Sequence, residues 1–528
     1  MMRHKLRYIL TAVMPVVLLA ACGPKEASDA AVMPTVQAVS KVAFSPKTDA
    51  GAPNVIIMVA DDLGWADLSL RGSDIETPNI DSLAHDGLTL ERFYSMPICT
   101  PTRSALMTAR DPMKLGTIYA GFQPWQNGGV SPEEHFMPES FQAAGYQTAM
   151  IGKWHLGHTI QPLVPNSRGF EHFFGHLNTQ IDFYDYTVAR GYDLQENGKS
   201  VKRPGTYATD VHAEESVRYL TEIRDPEKPF FMYVPFLAPH APMQAPAELE
   251  EKYKHRGNKM KKSRTYAAMV DSLDQAVGRI LRTLEDQGLA ENTIILFFSD
   301  NGGLEDFGSD NGPFRGGKLQ TFEGGVRVGA FMRWPNKIAP GTTTDDVVSV
   351  LDVFPTLAKA ADVPMGNTKK LDGKMRWDGL ENGVTDKRGD DLYFASNSPL
   401  FNRYHLAVIE EKWKLVQIID HQSQDTVVEN FLFDLPNDKG EEKNLAETHP
   451  DQVKRLAKKI VKWRSQHPIN GVRVALAPHP GWRAPLDYAD SVIPSSTIQD
   501  DGYDTYVSGM RAKILQRMHG EKGQISYD

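Results

Sequence analysis

The sequence predicts an α/β protein: a mostly parallel sheet flanked by helices, followed by a smaller C-terminal α+β subdomain. Three observations carry this. Asn54-Val55-Ile56-Ile57-Met58-Val59-Ala60, Phe230-Phe231-Met232-Tyr233-Val234-Pro235-Phe236 and Thr293-Ile294-Ile295-Leu296-Phe297-Phe298 are apolar runs without polar alternation, as strands covered on both faces of a parallel sheet require. Helix-like stretches at residues 132–144 and 265–286 lie between them. Beyond residue 390 come shorter strand-like runs at 404–410 and 413–419, then a stretch at 451–466 whose Val453, Leu456, Ile460 and Trp463 share one helical face. At 528 residues the chain accommodates one large and one smaller domain, expected over 53–390 and 391–528. The boundary follows Leu351-Asp352-Val353-Phe354-Pro355-Thr356-Leu357, read as a core helix, after which Gly, Asp and Lys become frequent up to residue 390.

The first fifty residues read as targeting and tether. Arg3, Lys5 and Arg7 precede an apolar run over residues 8–21, too short and too soon followed by polar sequence for a membrane-spanning helix, which is the pattern of a signal peptide. Leu19-Ala20-Ala21-Cys22 resembles a bacterial lipobox, so residues 1–21 are expected to be removed and Cys22 to carry lipid. Gly23 resembles the outer-membrane retention pattern, which places the exported lipoprotein on the periplasmic side of the outer membrane or at the cell surface. Residues 22–52, rich in Ala, Pro, Ser and Val, are then a lipidated flexible tether. The alternative is a soluble secreted protein with a chance cysteine at the cleavage site.

Cys22 and Cys99 are the only cysteines, so once the first carries lipid the second has no disulfide partner and needs either burial or a chemical task. Removing residues 1–21 takes away three basic side chains and moves the formal charge from −9 to −12, which argues against nucleic-acid binding through a broad basic surface. An anionic substrate must be met by local positive charge instead. With 41% hydrophobic and 24% charged residues, the body has the composition of a globular enzyme rather than a disordered chain or a membrane bundle.

In sheets of this class, functional groups gather beyond the C-terminal strand ends. The first run ends in Asp61-Asp62-Leu63-Gly64-Trp65, the second in Leu237-Ala238-Pro239-His240, and the third in Ser299-Asp300-Asn301-Gly302-Gly303. Asp61, Asp62, Asp300 and Asn301 make a hard, oxygen-rich set suited to calcium or magnesium. Three carboxylates gathered without a cation would raise one another's pKa and destabilise the fold. Taken singly, the same residues also suit helix capping by Asp61 and Asp62 and a turn at Asn301-Gly302.

Cys99-Thr100-Pro101-Thr102-Arg103 leads into a short helical stretch through Arg110, with Pro101 near its start, where a missing donor is harmless. Cys99 then faces the positive end of a helix with Arg103 close by, a setting that stabilises an anionic nucleophile or a bound anion. A buried structural cysteine is the plainer alternative. These five residues resemble the cysteine-x-proline-x-arginine maturation signature of the type I formylglycine-dependent sulfatase family, with threonine where serine is commoner. Gly152-Lys153-Trp154-His155-Leu156-Gly157, the His240 segment, Ser299-Asp300-Asn301-Gly302, Gly316-Gly317-Lys318 and Glu323-Gly324-Gly325 resemble the motifs of that family in its usual order, over about residues 54–361. Within the family, Pro124-Trp125-Gln126, His240-Ala241-Pro242-Met243-Gln244-Ala245-Pro246 and Leu371-Asp372-Gly373 resemble the arylsulfatase B branch, the N-acetylgalactosamine 4-sulfatases, and bacterial polysaccharide sulfatases. Trp125 stands where the animal branch has a disulfide cysteine.

The resemblance implies an alkaline-phosphatase-like fold, with a mixed, mostly parallel sheet and an antiparallel sheet in the smaller C-terminal α+β subdomain, and hydrolysis of sulfate esters. It implies that a formylglycine-generating maturation system oxidises Cys99 to formylglycine. One hydroxyl of the hydrated aldehyde would attack sulfur, and loss of the other's proton would expel sulfate. It further implies Ca2+ held by Asp61, Asp62, Asp300 and Asn301, touching a sulfate oxygen and the modified Cys99. Lys153, His240 and Lys318 would converge on sulfate and the bridging oxygen, with His240 or Lys318 donating a proton to the leaving sugar alcohol. Arg103 and His155 would orient the nucleophile and assist its deprotonation. Lys114, His158 and Arg327 stay outside this set, as structural or solubilising residues.

The expected substrate is a sulfated oligosaccharide, with exo removal of a 4-sulfate from galactose or N-acetylgalactosamine in carrageenan, chondroitin or dermatan fragments. An aromatic and polar insertion between residues 175 and 209 includes Asn178, Gln180, Tyr184, Tyr186 and Arg190; it offers surfaces for sugar rings or is simply a folded loop. Two other readings stand beside this one. A phosphatase or phosphonate-ester hydrolase on the same fold would prefer phosphate on a common leaving group, and a non-catalytic carbohydrate-binding lipoprotein would bind without releasing sulfate. The membrane is expected to be met through the N-terminal lipid, and oligomeric state has no signal in the sequence.

Overall fold

The computed structural model describes residues 51–497, apart from short stretches at 120, 260–261, 367, 384–386, 399–402, 421–426, 469–470, 472–476 and 479–481. The signal-peptide and lipobox readings, and all of the tether before residue 51, lie outside the described residues.

The main sheet contains, in chain order, Asn54–Ala60 (β1), Leu88–Tyr94 (β2), Gln147–Lys153 (β3), His172–His176 (β4), Phe230–Pro235 (β5), Thr293–Ser299 (β6), Ala330–Arg333 (β7) and Thr342–Ser349 (β8). Five of these run side by side in parallel, in the order β6-β1-β5-β3-β4. The antiparallel β7 joins β6 to β2, and β8 lies parallel along the other side of β2. The sheet is therefore mixed and mostly parallel; its unbroken apolar runs predict the parallel part.

Alternation along β1 explains why both faces are covered. Val55, Ile57 and Val59 enter one apolar core, with side chains from the helices Cys99–Thr108, Met137–Ala143 and Val353–Ala360. Ile56, Met58 and Ala60 enter a second core, against the helices Pro78–His85, Ala208–Arg218 and Arg264–Asp286. A strand fully buried at every position cannot show polar alternation, hence the unbroken run. The long helix Arg264–Asp286 starts where the Ser263 side chain accepts from the Tyr266 N–H.

The C-terminal sheet is an antiparallel meander of Leu392–Ser398, Arg403–Glu410, Trp413–Asp420 and Val427–Asp434. The helix Pro450–Arg464 buries Leu456, Ile460 and Trp463 beside it. Its apolar side chains share the first core of the main sheet. Two expectations shift. The helix expected from residue 132 begins at Met137, because residues 131–134 close a turn of their own and the Phe136 N–H is taken by the Glu139 carboxylate at 2.6 Å. The core helix expected at 351–357 is a single 3-10 turn, Val350–Asp352, running into Val353–Ala360. Among the described residues no helix is long and apolar enough to cross a membrane.

Candidate active site

Register brings the carboxylates together. Ala60 of β1 lies opposite Ser299 of β6, and the Asp300 N–H donates to the Ala60 carbonyl at 2.9 Å, so Asp61 and Asp300 leave the sheet side by side. The Asp61 N–H donates to the Ala238 carbonyl at 3.2 Å, which ties in the loop after β5 that carries His240. Lys153 is the last residue of β3. Cys99 opens the helix Cys99–Thr108, one position earlier than expected, where backbone N–H groups lack partners within the helix. The segments after β6 and around Glu323 touch backbone to backbone: the Gly302 N–H donates to the Gly325 carbonyl at 3.1 Å, and a Cβ on Gly302 would lie 1.8 Å from the Gly324 oxygen. Only glycine permits that approach.

Every residue that the sequence placed in the site meets here. Arg103 donates through Nη2 to Asp300 Oδ2 at 2.9 Å and Asp61 Oδ2 at 3.3 Å, and through Nη1 to the Lys153 carbonyl at 2.9 Å. Lys153 Nζ lies 2.5 Å from Asp61 Oδ2, Lys318 Nζ 2.7 Å from Asp62 Oδ1, and His240 Nε2 3.7 Å from Asp62 Oδ2. The Asn301 side-chain amide donates to Asp62 Oδ1 at 2.7 Å. His155 Nε2 lies 3.1 Å from the Phe122 carbonyl; that contact makes Nε2 the donor and leaves the buried Nδ1, which has no protein partner, as an acceptor. Asp62, His155 and Leu319, the neighbour of Lys318, all have left-handed φ angles, of 69°, 62° and 71°. Such strain gathers where surrounding structure holds functional groups in place.

The electrostatics follow from burial and from this packing of charges. Burial pushes the Cys99 thiol up to about 12, although Lys153 and Lys318 pull the other way, so a plain thiol stays protonated. Burial also disfavours ionised Asp61, yet Lys153, His240, Arg103 and Lys318 hold its carboxyl well below the usual range. Burial and the Lys318 charge lower His240 to about 4, and burial with Lys153 and Arg103 nearby holds His155 well below its ordinary value. Lys318 stays well above the usual lysine range despite its burial, because Asp62 and its neighbours favour the ammonium.

The donor set fits a hard divalent cation. Asp61 Oδ1 and Asn301 Oδ1 are buried oxygens without a hydrogen-bond partner, which a cation would satisfy. Asp61, Asp62, Cys99 and His240 offer ligand atoms all within 4.8 Å of one another. Asp300 lies outside that group, its carboxylate engaged by Arg103 and by the Asp62 N–H at 3.3 Å.

Carboxylates ringed by lysines, beside a cysteine at a helix start, suit chemistry on an anionic ester. The chain belongs to the sulfatase family, whose model, described as Sulfatase, matches residues 53–363. A second, described as N-sulphoglucosamine sulphohydrolase, C-terminal, matches residues 317–466. Arylsulfatase J of Mus musculus is 36% identical over 348 residues, 65% of this chain and 58% of that protein. The N-acetylgalactosamine-6-sulfatase of Canis lupus familiaris is 33% identical over 371 residues, 64% of this chain and 69% of that one. The chain thus spans 58% of the length of the first relative and 69% of the second. The crystal structure of Ps i-CgsB in complex with k-i-k-neocarrahexaose superposes with a TM-score of 0.72 at 28% identity, covering 89% of this chain and 100% of that one. The family generally uses formylglycine and a divalent metal.

Several neighbours escaped the sequence reading. The Thr102 hydroxyl donates to the Asp300 carbonyl at 2.5 Å and the Thr100 hydroxyl to the His155 carbonyl at 3.0 Å, so the two threonines of the cysteine segment fasten its helix to the strand ends. The i+3 spacing of Thr102 from Cys99 was the available signal, and Thr100 carried none. The residues left outside the set have structural partners: Lys114 pairs with Asp372, His158 Nε2 contacts the Pro124 carbonyl at 3.3 Å, and Arg327 donates to the Glu91 carbonyl at 2.9 Å. Within the aromatic insertion, Asn178 is buried on Asp193 at 2.8 Å and Tyr186 is buried with its hydroxyl on the Thr206 carbonyl at 2.5 Å. Both work as packing; Gln180, Tyr184 and Arg190 keep exposed surface.

Proposed function

We propose that this protein hydrolyses sulfate esters of sulfated oligosaccharides, removing a 4-sulfate from a terminal galactose or N-acetylgalactosamine. The reaction class rests on one observation: Lys153 and Lys318 converge with His240 on the carboxylate pair Asp61 and Asp62, beside Cys99. Its two ammonium groups supply local positive charge in a protein of formal charge −9. The sugar reading is supported by the carrageenan oligosaccharide named with Ps i-CgsB and by the N-acetylgalactosamine named for the canine relative, whose name specifies a 6-sulfate. The 4-position rests on the arylsulfatase B-like segments around Trp125 and His240.

Asp61, Asp62, Asp300 and Asn301 would hold Ca2+, which when bound supplies Lewis-acid stabilisation of sulfate oxygens. Cys99, a poor nucleophile while burial keeps it protonated, would act after a maturation system oxidises it to formylglycine, whose hydrate supplies an oxygen nucleophile. His155, neutral and with Nε2 held by the Phe122 carbonyl, presents Nδ1 to take a proton from that nucleophile. Lys153 neutralises sulfate charge, and Lys318 donates a proton to the departing sugar oxygen. His240, with Nδ1 2.6 Å from the Ala241 carbonyl, turns Nε2 towards the same place. Arg103 braces Asp61 and Asp300 rather than the substrate. The N-terminal pattern supports an exported, lipid-anchored enzyme that meets polymer fragments outside the cytoplasm.

The test is to incubate mature, calcium-loaded enzyme with defined carrageenan, chondroitin and dermatan oligosaccharides and follow sulfate loss by mass spectrometry and NMR. Release of a terminal 4-sulfate, abolished in a folded Cys99→Ala variant, is expected. Release of a 6- or 2-sulfate would reject the position, and a preference for phosphate over sulfate on one leaving group would reject the reaction class.

A further inference from the structure

We infer that Trp125 and Trp482 form a sugar-stacking subsite at the rim of the active site, taking the apolar face of the pyranose ring next to the sulfated one. This rests on the oligosaccharide reading above.

Trp125 belongs to a loop fastened to the segment that carries His155. The Phe122 carbonyl lies 3.1 Å from His155 Nε2 and the Pro124 carbonyl 3.3 Å from His158 Nε2, while the Val130 N–H donates to the Leu156 carbonyl at 3.0 Å. Trp125 lies three positions after Phe122, so their Cα atoms are within about 11 Å of each other. Trp482 arrives from the far end of the chain. The residues after it are bonded across the same rim: Tyr192 N–H donates to the Leu486 carbonyl at 3.0 Å, Ile493 N–H to the Thr159 carbonyl at 3.0 Å, and Gln161 N–H to the Ile493 carbonyl at 2.9 Å. Lys202 Nζ lies 3.2 Å from Asp487 and adds a link to the insertion. The C-terminal strap therefore joins the loop leaving His158 to the hairpin of the insertion and delivers its tryptophan beside Trp125.

The two indoles meet with centroids 6.0 Å apart and planes at 76°. In such an edge-to-face pair, the ring that presents its edge keeps both of its own faces clear of its partner. Trp65, Trp154, Trp334, Trp377 and Trp463 are buried in the core; Trp125, Trp482 and Trp413 are half-buried, and Trp413 packs against the core from the antiparallel sheet. A half-buried indole offers a broad apolar face, which matches the C–H face of a pyranose ring. The inward packing of Asn178 and Tyr186 removes them from this task. The rim tryptophans, joined by backbone to the catalytic histidine segment, are placed to take it.

The experiment compares Trp125→Ala, Trp482→Ala and Trp482→Phe with wild type, as full-length, matured, calcium-loaded enzyme, on a sulfated carrageenan hexasaccharide and on 4-nitrophenyl sulfate. Each alanine variant is expected to raise KM for the hexasaccharide about five- to tenfold, the range of one aromatic contact, with kcat within twofold and aryl sulfate kinetics unchanged. Trp482→Phe should retain most of the affinity. Equal losses on both substrates would make the pair a structural pin, and an unchanged hexasaccharide KM would remove the subsite while leaving the proposed function in place. A wild type that cleaves the aryl sulfate but no oligosaccharide would overturn both.

Discussion

Lys414→Met tests how the antiparallel sheet is fastened to the catalytic centre. Lys414 is fully buried, with Nζ 2.8 Å from Glu323 Oε1 and 2.9 Å from Glu441 Oε1. The Tyr94 hydroxyl donates to Glu323 Oε2 at 2.9 Å, and the Glu323 N–H donates to Glu441 Oε2 at 2.6 Å. Methionine keeps the stem and removes the charge, leaving two buried carboxylates with Arg327 3.6 Å from Glu323 as the remaining cation. Removing one partner of a buried ion pair costs about 3–5 kcal/mol, because the other charge stays buried without compensation. Burial and the Glu323 charge already push Glu441 above the usual carboxylate range, and loss of Lys414 pushes it further. A folded pKa above the unfolded one means that the folded state binds the proton more tightly. The penalty is therefore largest at alkaline pH and shrinks as pH falls towards the unfolded value. Urea unfolding followed by tryptophan fluorescence should show a loss of about 3–5 kcal/mol at pH 8 that is smaller by at least about 1 kcal/mol at pH 5. Lys414→Met/Glu441→Gln should be more stable at pH 8 than Lys414→Met alone. A loss independent of pH, or one below about 1 kcal/mol at pH 8, would refute the reasoning.

Three more outcomes are expected. His158 and His212 are held near 4 by burial, below the ordinary 6.5, so their stabilising contribution is complete above that value and lost as pH falls towards 4. Each should cost about 2 kcal/mol at pH 5, and His212→Asn should flatten the fall in unfolding midpoint between pH 7 and 5; an unaltered slope would count against it. Gly302→Ala drives a Cβ onto the Gly324 carbonyl and should lower stability by about 1–3 kcal/mol with a loss of turnover, read by calorimetry and sulfate release. Calcium at a hundredfold its dissociation constant should stabilise the fold by about 2.7 kcal/mol, reversed by chelation and absent in Asp61→Asn; a melting curve indifferent to calcium would argue against the cation site.

The strands nearest the site were legible because full burial leaves an unbroken apolar run, and their ends were legible because β1 and β6 stop at Asp61-Asp62 and Asp300-Asn301. Their pairing across more than two hundred residues has no local signal, so the meeting of those ends followed from the rule for such sheets. Lys153, His155 and Lys318 were legible only through family likeness, since a lysine fixed by a buried carboxylate looks in sequence like any surface lysine. Tyr186 misled because composition does not say which way an aromatic residue points. The Glu323, Lys414 and Glu441 cluster was invisible, because its members come from a short helix, a strand and a loop that only the tertiary fold unites. The helix start at Met137 depended on which neighbouring turn captured the Phe136 N–H, a choice made by a single side chain.

Cys99 is 2% exposed once the site is assembled. Its shelter is built late, because β1 cannot close against β6 until Ser299 has been synthesised, two hundred residues after Cys99. At about 5–20 residues per second, that interval lasts about 10–40 s. The strand order therefore acts as a timer during synthesis. If Cys99 is matured as proposed, by an enzyme that needs the Cys99 to Arg103 segment as loose chain, that enzyme has its opportunity in this interval, and folding then buries the segment. A circular permutant that places Thr293–Ser299 ahead of Cys99 in translation would shorten the interval and emerge with more of its cysteine unconverted.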